Sequence, residues 1–476
     1  MNDAVGISSD VKQSATPGTG LPEIGARLDR LASSRTVWKL MVLLAFGGLF
    51  DAYMISTGGN IAPGLYKTHL LSPTSKSFFD PHSFAAFNGA TFVGLLVASL
   101  GCGFIADKFG RRTIFTVGLL WFSLCAFAMA FQNSGSGLIF WRFMLAIGTG
   151  LEVITIDAYL SELIPKRTRG RAIAVSNSIH SCGQPLAALA AVCLVDYRLM
   201  GVDGWRWVVV LGSIGAVVVW PLRRMIPESP RWLAAHGNLA EADRIVKDLE
   251  AKVQREVGHP LPPPEPVTHR EPHKIGRYAQ IFSPEYLPRT VMLSLFHLLQ
   301  AFALYGYISW MPTFLVSQGI GITRSLAYTF GMAMVAPFGG LICMSFADKF
   351  ERKWQIVASS LAIAAIGPVF AMSRNPWVIV PAGGFELLSA AVLSFNFHAY
   401  QSELFPTRIR VLAIGFVYSW SRWNAIFASL VVGWVLGKYG APTVFVMFTF
   451  SMLLVALSIG VLGPNTKQRS LETLSP

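Results

Sequence analysis

Twelve stretches of about twenty residues that carry almost no charge run through this sequence. Each is long enough to cross a hydrocarbon layer of roughly 30 Å as a helix. The composition agrees, because 53% of the 476 residues are hydrophobic and only 14% are charged. The sequence therefore predicts an all-α membrane protein with twelve transmembrane helices. They are predicted to start near Val37, Phe84, Thr113, Leu138, Ala172, Arg206, Arg289, Leu326, Trp354, Pro376, Val411 and Ala441.

Polar segments divide these helices into two groups of six. The longest polar interruption follows the sixth helix, and it contains an amphipathic helical pattern and the Pro-rich run HPLPPPEP. The N-terminal tail is polar and rich in Gly and Ser, so we expect it to be disordered. The predicted divisions are a tail at 1–36, a bundle at 37–226, a linker at 227–288, a second bundle at 289–463 and a tail at 464–476.

Basic residues are concentrated on one side of the predicted membrane helices. Most of the 39 Lys and Arg residues lie in the tails and in the alternate loops on the N-terminal side. Short Lys- and Arg-rich loops stay in the cytoplasm, so both termini and the linker are expected there. The net charge of +13 therefore indicates a membrane rim and not a nucleic-acid surface. We expect no cleavable signal peptide, and the lack of an N-x-[ST] sequon is compatible with a bacterial inner membrane.

Two loop motifs recur at one constant spacing. ADKFGRR at 106–112 returns as ADKFERK at 347–353, which is 241 residues later. YLSELIPKRTR at 159–169 returns as YQSELFPTRIR at 400–410, again 241 residues later. Two matches at one offset indicate that a unit of six helices was duplicated. Because six is even, the halves are parallel repeats, an arrangement that places a substrate cavity between two bundles near the bilayer midplane.

These motifs resemble those of the major facilitator superfamily. GFIADKFGRR matches its signature G-x-x-x-D-[RK]-x-G-[RK]-[RK], and WRFMLAIGTG followed by SELIPKRTRGR resembles the fourth-helix pattern of sugar porters. PESPRWL at 227–233 is similar to the sugar-porter motif after the sixth helix. The resemblance covers the whole chain. It implies the major facilitator fold, with two pseudo-symmetric six-helix bundles and transport by alternating access.

Charged residues in the repeated loops are candidates for gating. In the family such residues act as latches that hold the outward-facing state, when the cytoplasmic ends of the bundles meet. The alternative is that loop Lys and Arg only set the topology, which explains the basic residues but not the acidic ones. Glu351 replaces Gly110 in the second copy, which predicts a different turn and a weaker latch there. The gating candidates are Asp107, Arg111, Arg112, Glu162, Arg169, Asp348, Arg352, Glu403, Arg410, Glu228 and Arg231.

Two carboxyl groups inside predicted helices are candidates for proton coupling, because burial of an ionisable group costs at least about 3 kcal/mol. Asp51 is the first, and the alternative for it is a buried structural ion. Its stretch resembles the first helix of metabolite:proton and aromatic acid:proton symporters, although Met54 replaces the second acid of their D-G-x-D pattern. Glu152 is the second candidate, and its alternative is a structural partner for Arg142.

Arg422 is the candidate that would bind a substrate carboxylate, because a guanidinium offers two parallel donors and stays ionised when buried. The alternative is a salt bridge with Asp51 or Glu386. Tyr418 lies one turn earlier on the same face. Other polar residues recur at helical spacing and are further candidates for substrate binding. The alternative for each is a hydrogen bond that holds two helices together. These candidates are Asn177, Gln184, Gln300 and Tyr307.

The remaining ionisable groups of the helices receive structural interpretations. We expect Asp157 to form a structural or gating pair, and Arg142 to extend towards the membrane surface. We also expect His180, His297 and His398 to be packed, hydrogen-bonded histidines rather than proton carriers.

The sequence lacks HExxH, GxSxG, clustered Cys and His, and the Walker A motif. This argues against an enzyme and against an ATP-driven pump. We expect a monomer without cofactor or metal, whose partners are a small substrate, a proton and the lipid bilayer. The predicted function is proton-coupled symport of a carboxylate-bearing or aromatic organic metabolite. A sugar or polyol:proton symporter is the alternative, and a drug exporter or a transport-dead sensor ranks below both.

Overall fold

The computed structural model describes residues 21–223, 225–264, 278–346 and 349–465, which are mostly α-helical. The helices of the first half are α1 (Leu21–Asp29), α2 (Arg35–Lys67), α3 (Phe84–Phe109), α4 (Arg111–Ala130), α5 (Gly135–Leu163), α6 (Lys166–Ser181), α7 (Gly183–Leu194) and α8 (Gly204–Arg223). The linker contains α9 (Pro230–Ala235), α10 (Leu239–Val257) and a 3-10 helix at Tyr278–Phe282. The second half contains α11 (Leu287–Ser317), α12 (Ile322–Ala333), α13 (Ala336–Phe346), α14 (Arg352–Met372), α15 (Pro376–Glu403), α16 (Thr407–Tyr439) and α17 (Ala441–Leu462). A short antiparallel hairpin precedes α8, with two residues in each strand, β1 (Arg198–Leu199) and β2 (Val202–Asp203).

These helices confirm the predicted twelve-helix architecture. Three of them start at the predicted residue, and the largest difference is at the fifth segment, which begins at Lys166 instead of Ala172. In the described part of the chain, nine helices are long and apolar enough to cross a membrane. The other three predicted segments are formed by α6 with α7, by α8 and by α16.

Two of the twelve segments are each broken into two helices. Pro185 follows the break between α6 and α7, and Pro337 follows the break between α12 and α13. Proline has no N–H to bond the carbonyl four residues earlier, and those carbonyls belong to Ser181 and Ala333, where α6 and α12 end. The two broken segments pack against each other between the bundles, α6 on α13 and α7 on α12.

The two bundles meet along four pairs of helices. Besides the two pairs of broken segments, α2 packs on α11 and α3 packs on α16. We call the end of the molecule that carries α1, α9 and α10 the linker face. We call the other end, where residues 68–83 join α2 to α3, the opposite face.

The N-terminal tail is not disordered throughout, because α1 packs against α9 and α10. Ile24 and Leu28 are buried in one cluster with Val246 and Leu249 of α10. The prediction of disorder is therefore wrong for Leu21–Asp29. Apolar residues one helical turn apart form a stripe on α1, and this stripe orders the helix because it packs on an apolar face of α10. Residues 1–20 and 466–476 lie outside the described residues.

Ionic hydrogen bonds hold α1 on α10. The Arg27 guanidinium donates to Asp243 at 2.6 Å and to Glu250 at 2.7 Å, and Arg30 donates to Glu250 at 2.7 Å. The hydrogen bond to Glu250 raises the pKa of Arg27. Partial burial acts to raise the pKa of Glu250, but its hydrogen bonds from Arg27 and Arg30 outweigh burial and lower it. The contact is therefore complete above the ordinary carboxyl pKa and is lost as the pH falls through the lowered pKa of Glu250.

Replacement of Arg27 by Ala should release α1 from α10 while the bundles stay folded. The loss of a charge-assisted hydrogen bond costs about 1.5 kcal/mol, so amide exchange in residues 21–31 should become roughly tenfold faster. Hydrogen exchange followed by mass spectrometry measures this at neutral pH. Arg255→Ala is the control, because Arg255 Nε donates to Ala251 within α10. Equal exchange in the wild type and in Arg27→Ala would contradict the proposed role of this contact.

Candidate substrate cavity and gate

A small polar cavity lies between the bundles at mid-height. Ser56 and Asn60 of α2 and Gln184 of α7 line it from the first bundle, and Tyr307 and Thr329 line it from the second. Its volume is about 40 Å³. This is room for a few water molecules at most, so the bundles are closed around the centre.

A second, smaller pocket of about 10 Å³ continues from this cavity into the second bundle. Tyr307 lines both spaces, while Gln300 and Glu386 line only the second. The structure therefore brings three of the predicted substrate residues, Gln184, Gln300 and Tyr307, to one connected region. Asn177 is exposed and does not line it.

Glu386 also lines this region. From the sequence it was only a possible salt-bridge partner of Arg422. It is 6% exposed, and its carboxylate lies beside the Tyr307 hydroxyl. Its Oε2 accepts no hydrogen bond from the described residues. A lone acid in the apolar run GGFELLSAAV was the signal that marks it, because such a group at membrane depth has a function by default.

Arg422 lies in a second region, one built of aromatic rings. Its guanidinium stacks over the Tyr418 ring at 5.3 Å, and the edge of that ring contacts His297 at 5.2 Å. His297 is buried and its Nε2 bonds Gln401 Oε1 at 3.0 Å, so it is the packed histidine that we expected. Within the described residues Arg422 forms no salt bridge, so the alternative partners Asp51 and Glu386 do not hold it.

Two residues next to the aromatic region are exposed. They are Asp157 of α5, in the first bundle, and His398 of α15, in the second. Asp157 and Arg422 belong to different bundles, and both lie close enough to Tyr418 to act on it electrostatically. A substrate that enters from the linker face would meet these residues before it reaches the closed cavity at the centre.

Asp51 is fully buried where α2 meets the break between α6 and α7. A Cβ at Gly183 would collide with the backbone of Leu49 and Tyr53, so the glycine permits this close approach. His180, just before the break, packs against Gly48 of α2. Asp51 therefore lies on a contact between helices that also form the interface with the second bundle.

Arg142 does not extend towards the membrane surface, and that prediction is wrong. It is 1% exposed, and it donates to Thr91 Oγ1 at 2.8 Å and to the carbonyls of Met54 and Ile55 at 2.9 and 3.0 Å. These acceptors on α3 and α2 satisfy the guanidinium inside the bundle. Glu152, which is also fully buried, is not among them, so the structure does not support its alternative role as the partner of Arg142.

The charged motifs at the linker face form equivalent ion pairs in both halves. Arg111 at the start of α4 bonds Glu162 at the end of α5 at 3.2 Å, and Arg352 at the start of α14 pairs with Glu403 at the end of α15. Each ion pair lies within its own bundle. These ion pairs therefore join helices of the same bundle, and pairing across the bundles stays a prediction.

Glu228 of the PESPRWL motif caps α4. Its Oε1 accepts the backbone N–H groups of Arg111 and Arg112, each at 3.1 Å, where an acid also complements the helix dipole. Gly110 has φ +88°, and a Cβ there would lie 2.6 Å from Glu228 Oε2. The second copy has Glu351 with φ −61° in this place, so its turn differs, as the sequence predicted.

The other gating candidates also contact their own half. Arg169 and Arg231 both bond Asp29 of α1, at 3.2 and 3.0 Å. Arg169 Nε donates to the carbonyl of Ile164 at 3.3 Å, and Arg410 Nε donates to that of Phe405 at 3.2 Å, which are repeat-equivalent contacts. The side chain of Asp107 and the residue Asp348 lie outside the described part of the structure.

Polar contacts close the opposite face across the two bundles, and no motif in the sequence predicts them. The Tyr66 and Thr313 hydroxyls share a hydrogen bond of 2.8 Å, and Asn88 Nδ2 donates to Ser429 Oγ at 2.8 Å. Thr323 Oγ1 donates to Asp196 at 2.7 Å. Asp196 also bonds Lys67 at 2.8 Å, and these hydrogen bonds lower the pKa of its carboxyl group.

Replacement of Thr313 by Val should make the opposite face open more often. The change removes one neutral hydrogen bond between the bundles, worth about 1 kcal/mol, and keeps the side-chain volume. A cysteine at Ser56, in a background without the native cysteines, should then react roughly fivefold faster with an impermeant maleimide added at the opposite face. Thr443→Val is the control, because Thr443 Oγ1 donates to the carbonyl of Tyr439 and this hydrogen bond does not join the two bundles. An unchanged labelling rate would count against this contact as part of a gate.

Comparison with known proteins identifies the family. Residues 40–476 match the family described as "Sugar (and other) transporter". The inner membrane metabolite transport protein YdjE of Escherichia coli (strain K12) is 30% identical over 457 residues, which cover 95% of this chain and 98% of that protein. The niacin transporter NiaP of Acinetobacter baylyi is 27% identical, with 95% and 99% covered. The gallate transporter of Pseudomonas putida is 28% identical, with 89% and 91% covered.

Solved structures agree on the fold. The inward-open xylose transporter XylE from E. coli superposes with a TM-score of 0.71 at 19% identity, over 92% of this chain and 99% of that one. The twelve helices, the family match and the relatives agree, and they describe a transporter and not an enzyme. The chain therefore belongs to the sugar (and other) transporter family, as a multi-pass membrane transporter of the major facilitator superfamily.

Proposed function

We propose that this transporter imports a small organic acid together with a proton. The observation that carries the acid is the position of Arg422, which lies beside Tyr418 and close to the exposed residues Asp157 and His398. Its contact there is the Tyr418 ring, and it forms no salt bridge in the described part of the chain. A guanidinium in this setting has its parallel donors available for a carboxylate.

The surroundings of Arg422 favour an aromatic acid. Tyr418, His297 and Phe397 form a chain of ring contacts beside the guanidinium, with centroids 5.2 and 5.3 Å apart. Aromatic faces bind planar rings through offset or edge contacts. Two of the relatives are named for niacin and gallate, which are both small aromatic carboxylic acids.

Asp51 and Glu152 are the groups that we propose to carry the proton. Both carboxyl groups are 0% exposed inside the first bundle. A charge at this depth is costly, so the proton would be bound while the site is closed and released when the bundles part. Asp51 is the stronger candidate, because it lies where α2 meets the broken fifth segment, and both elements contact the second bundle.

A sugar or polyol:proton symporter is the second candidate. The central cavity favours it, because amide and hydroxyl groups of Asn60, Gln184, Ser56 and Thr329 line that space. Such groups hydrogen-bond neutral hydroxylated ligands. This candidate ranks second because the positive charge of Arg422 favours an acid over a neutral ligand.

The gating role of the linker-face charges is proposed in a modified form. The pairs Arg111–Glu162 and Arg352–Glu403 tie neighbouring helices of one bundle, so each bundle would rotate as a rigid unit. The linker-face ends would then meet when the opposite face opens. We further propose a monomer in a bacterial inner membrane with both termini in the cytoplasm, which the basic loops of the linker face support.

Arg422→Lys tests the acid. Lysine keeps the charge but loses the bidentate fork, so the KM for uptake of nicotinate, gallate or benzoate should rise about tenfold or more. The KM for the neutral amide nicotinamide should change little. The exposed Arg374 supplies the control Arg374→Lys. Uptake is measured in liposomes with an imposed pH gradient, and an equal effect on acids and amide would indicate a structural role. Gradient-independent uptake of neutral sugars alone would reject the proposed function.

Asp51→Asn tests proton coupling. The amide keeps the shape of the side chain but cannot bind and release a proton, so accumulation driven by a pH gradient should disappear. Exchange of labelled for unlabelled substrate across the membrane should remain, because it needs no net proton movement. Glu285→Gln is the control, since Glu285 is an exposed acid just before α11 and lies outside the site. Unchanged accumulation in Asp51→Asn would remove this residue from the mechanism.

A further inference from the structure

A wide groove of about 880 Å³ lies at the linker face, away from the space between the bundles. The helix α10 forms one of its walls. The first turns of α2, from Arg35 to Leu43, and the segment 225–227 after α8 form the other. None of the proposed transport residues except Arg112 lines this groove.

The groove is basic on its α2 side. Arg35 and Lys39 stand one helical turn apart, both are exposed, and neither forms a salt bridge in the described part of the chain. The basic residues of the α10 wall differ, because Arg244 bonds Glu241 and Lys252 bonds Asp248, each at 2.6 Å. Glu256 is a carboxylate of the lining that also forms no salt bridge in the described part of the chain, so the excess positive charge is that of Arg35 and Lys39 over this one acid.

The same groove is apolar beyond these two cations. Leu40, Leu43 and Ile226 line it below the basic pair, and Met225 adds a side chain that is 53% exposed. Val42, which directly precedes Leu43 on α2, is 42% exposed, so the apolar surface continues along the outside of the helix. Because α2 enters the membrane in these turns, the cations lie at the level of lipid headgroups and the apolar residues lie at the level of acyl chains.

We propose that this groove binds one anionic phospholipid, with its phosphate between Arg35 and Lys39 and an acyl chain along Leu43 and Met225. Charge complementarity selects an anion, and the adjoining apolar wall selects a lipid over a free phosphate. A zwitterionic lipid would bring an ammonium group to the same cations, which disfavours it.

The site would strengthen the attachment of the linker to the first bundle. Glu256 of α10 already accepts hydrogen bonds from the Thr36 backbone N–H at 3.0 Å and from Thr36 Oγ1 at 2.6 Å. The lipid would fill the space beside this contact and touch both α2 and α10. Anionic lipid should therefore stabilise the packing of α10 against α2, independently of which substrate is carried.

Binding is tested by native mass spectrometry of the full-length protein titrated with dioleoyl phosphatidylglycerol, and separately with dioleoyl phosphatidylcholine. We expect one phosphatidylglycerol to be retained preferentially. The double variant Arg35→Gln, Lys39→Gln should bind it roughly thirtyfold more weakly, because each surface cation contributes about fivefold. The control Arg374→Gln, Lys438→Gln removes two exposed cations from the opposite face and should retain the lipid.

The outcomes separate the possible sources of the anion. Inorganic phosphate and glycerol phosphate are added as soluble competitors, and neither should displace the lipid. Displacement by either would assign the groove to a soluble anion and overturn the proposal. So would equal retention of the two lipids, or equal retention in the wild type and in the groove variant. Size-exclusion profiles and melting temperatures show that both double variants are folded before their lipid binding is compared.

Discussion

A buried guanidinium organises the middle of the first bundle. Arg142 joins α5 to Thr91 of α3 and to two carbonyls of α2, so three helices share one charge that has no access to water. A side chain at Gly58 would collide with this guanidinium, which explains the glycine at that place in α2. The position of α2 is fixed in this way, and α2 carries Asp51 and the cavity residues Ser56 and Asn60. An ionised group is costly inside a bundle, and three oxygen acceptors are what make it stable there.

The strength of the contacts differs within and between the bundles, and this difference suits a transporter. Ion pairs such as Arg111–Glu162 hold each bundle together at the linker face. At the opposite face the bundles meet through single hydrogen bonds, of which Tyr66–Thr313 and Asn88–Ser429 join neutral groups and Thr323–Asp196 has one charged partner. A neutral hydrogen bond contributes about 1 kcal/mol, so a few of them give a closed state that reopens readily. Rigid halves joined by weak contacts are the physical requirement for rocking about a central site.

The sequence predicted the helices and the family well, because apolar length and an exact repeat offset depend little on tertiary contacts. It predicted partners poorly. The offset of 241 residues shows which charges were duplicated, but not that Glu162 and Glu403 pair within their own bundles. Asn177 was placed on one face with Gln184 by assuming a continuous helix, and the break before Pro185 changes the direction of that face. The helix α1 was missed because its stability comes from α10, which is more than two hundred residues away in the chain.

The closed centre and the open aromatic region together indicate where a substrate waits. A cavity of about 40 Å³ cannot hold an aromatic acid, whereas Arg422 and Tyr418 lie close to the exposed residues Asp157 and His398. The helix α11 connects the two places, since His297 contacts Tyr418 while Gln300 and Tyr307 line the inner pockets. A carboxylate held by Arg422 would point its ring towards Tyr307 and Gln184, and the ring could enter only if the two walls separate. Separation of α2 from α11 breaks the Tyr66–Thr313 contact, so admission of the ring and opening of the opposite face would be one movement.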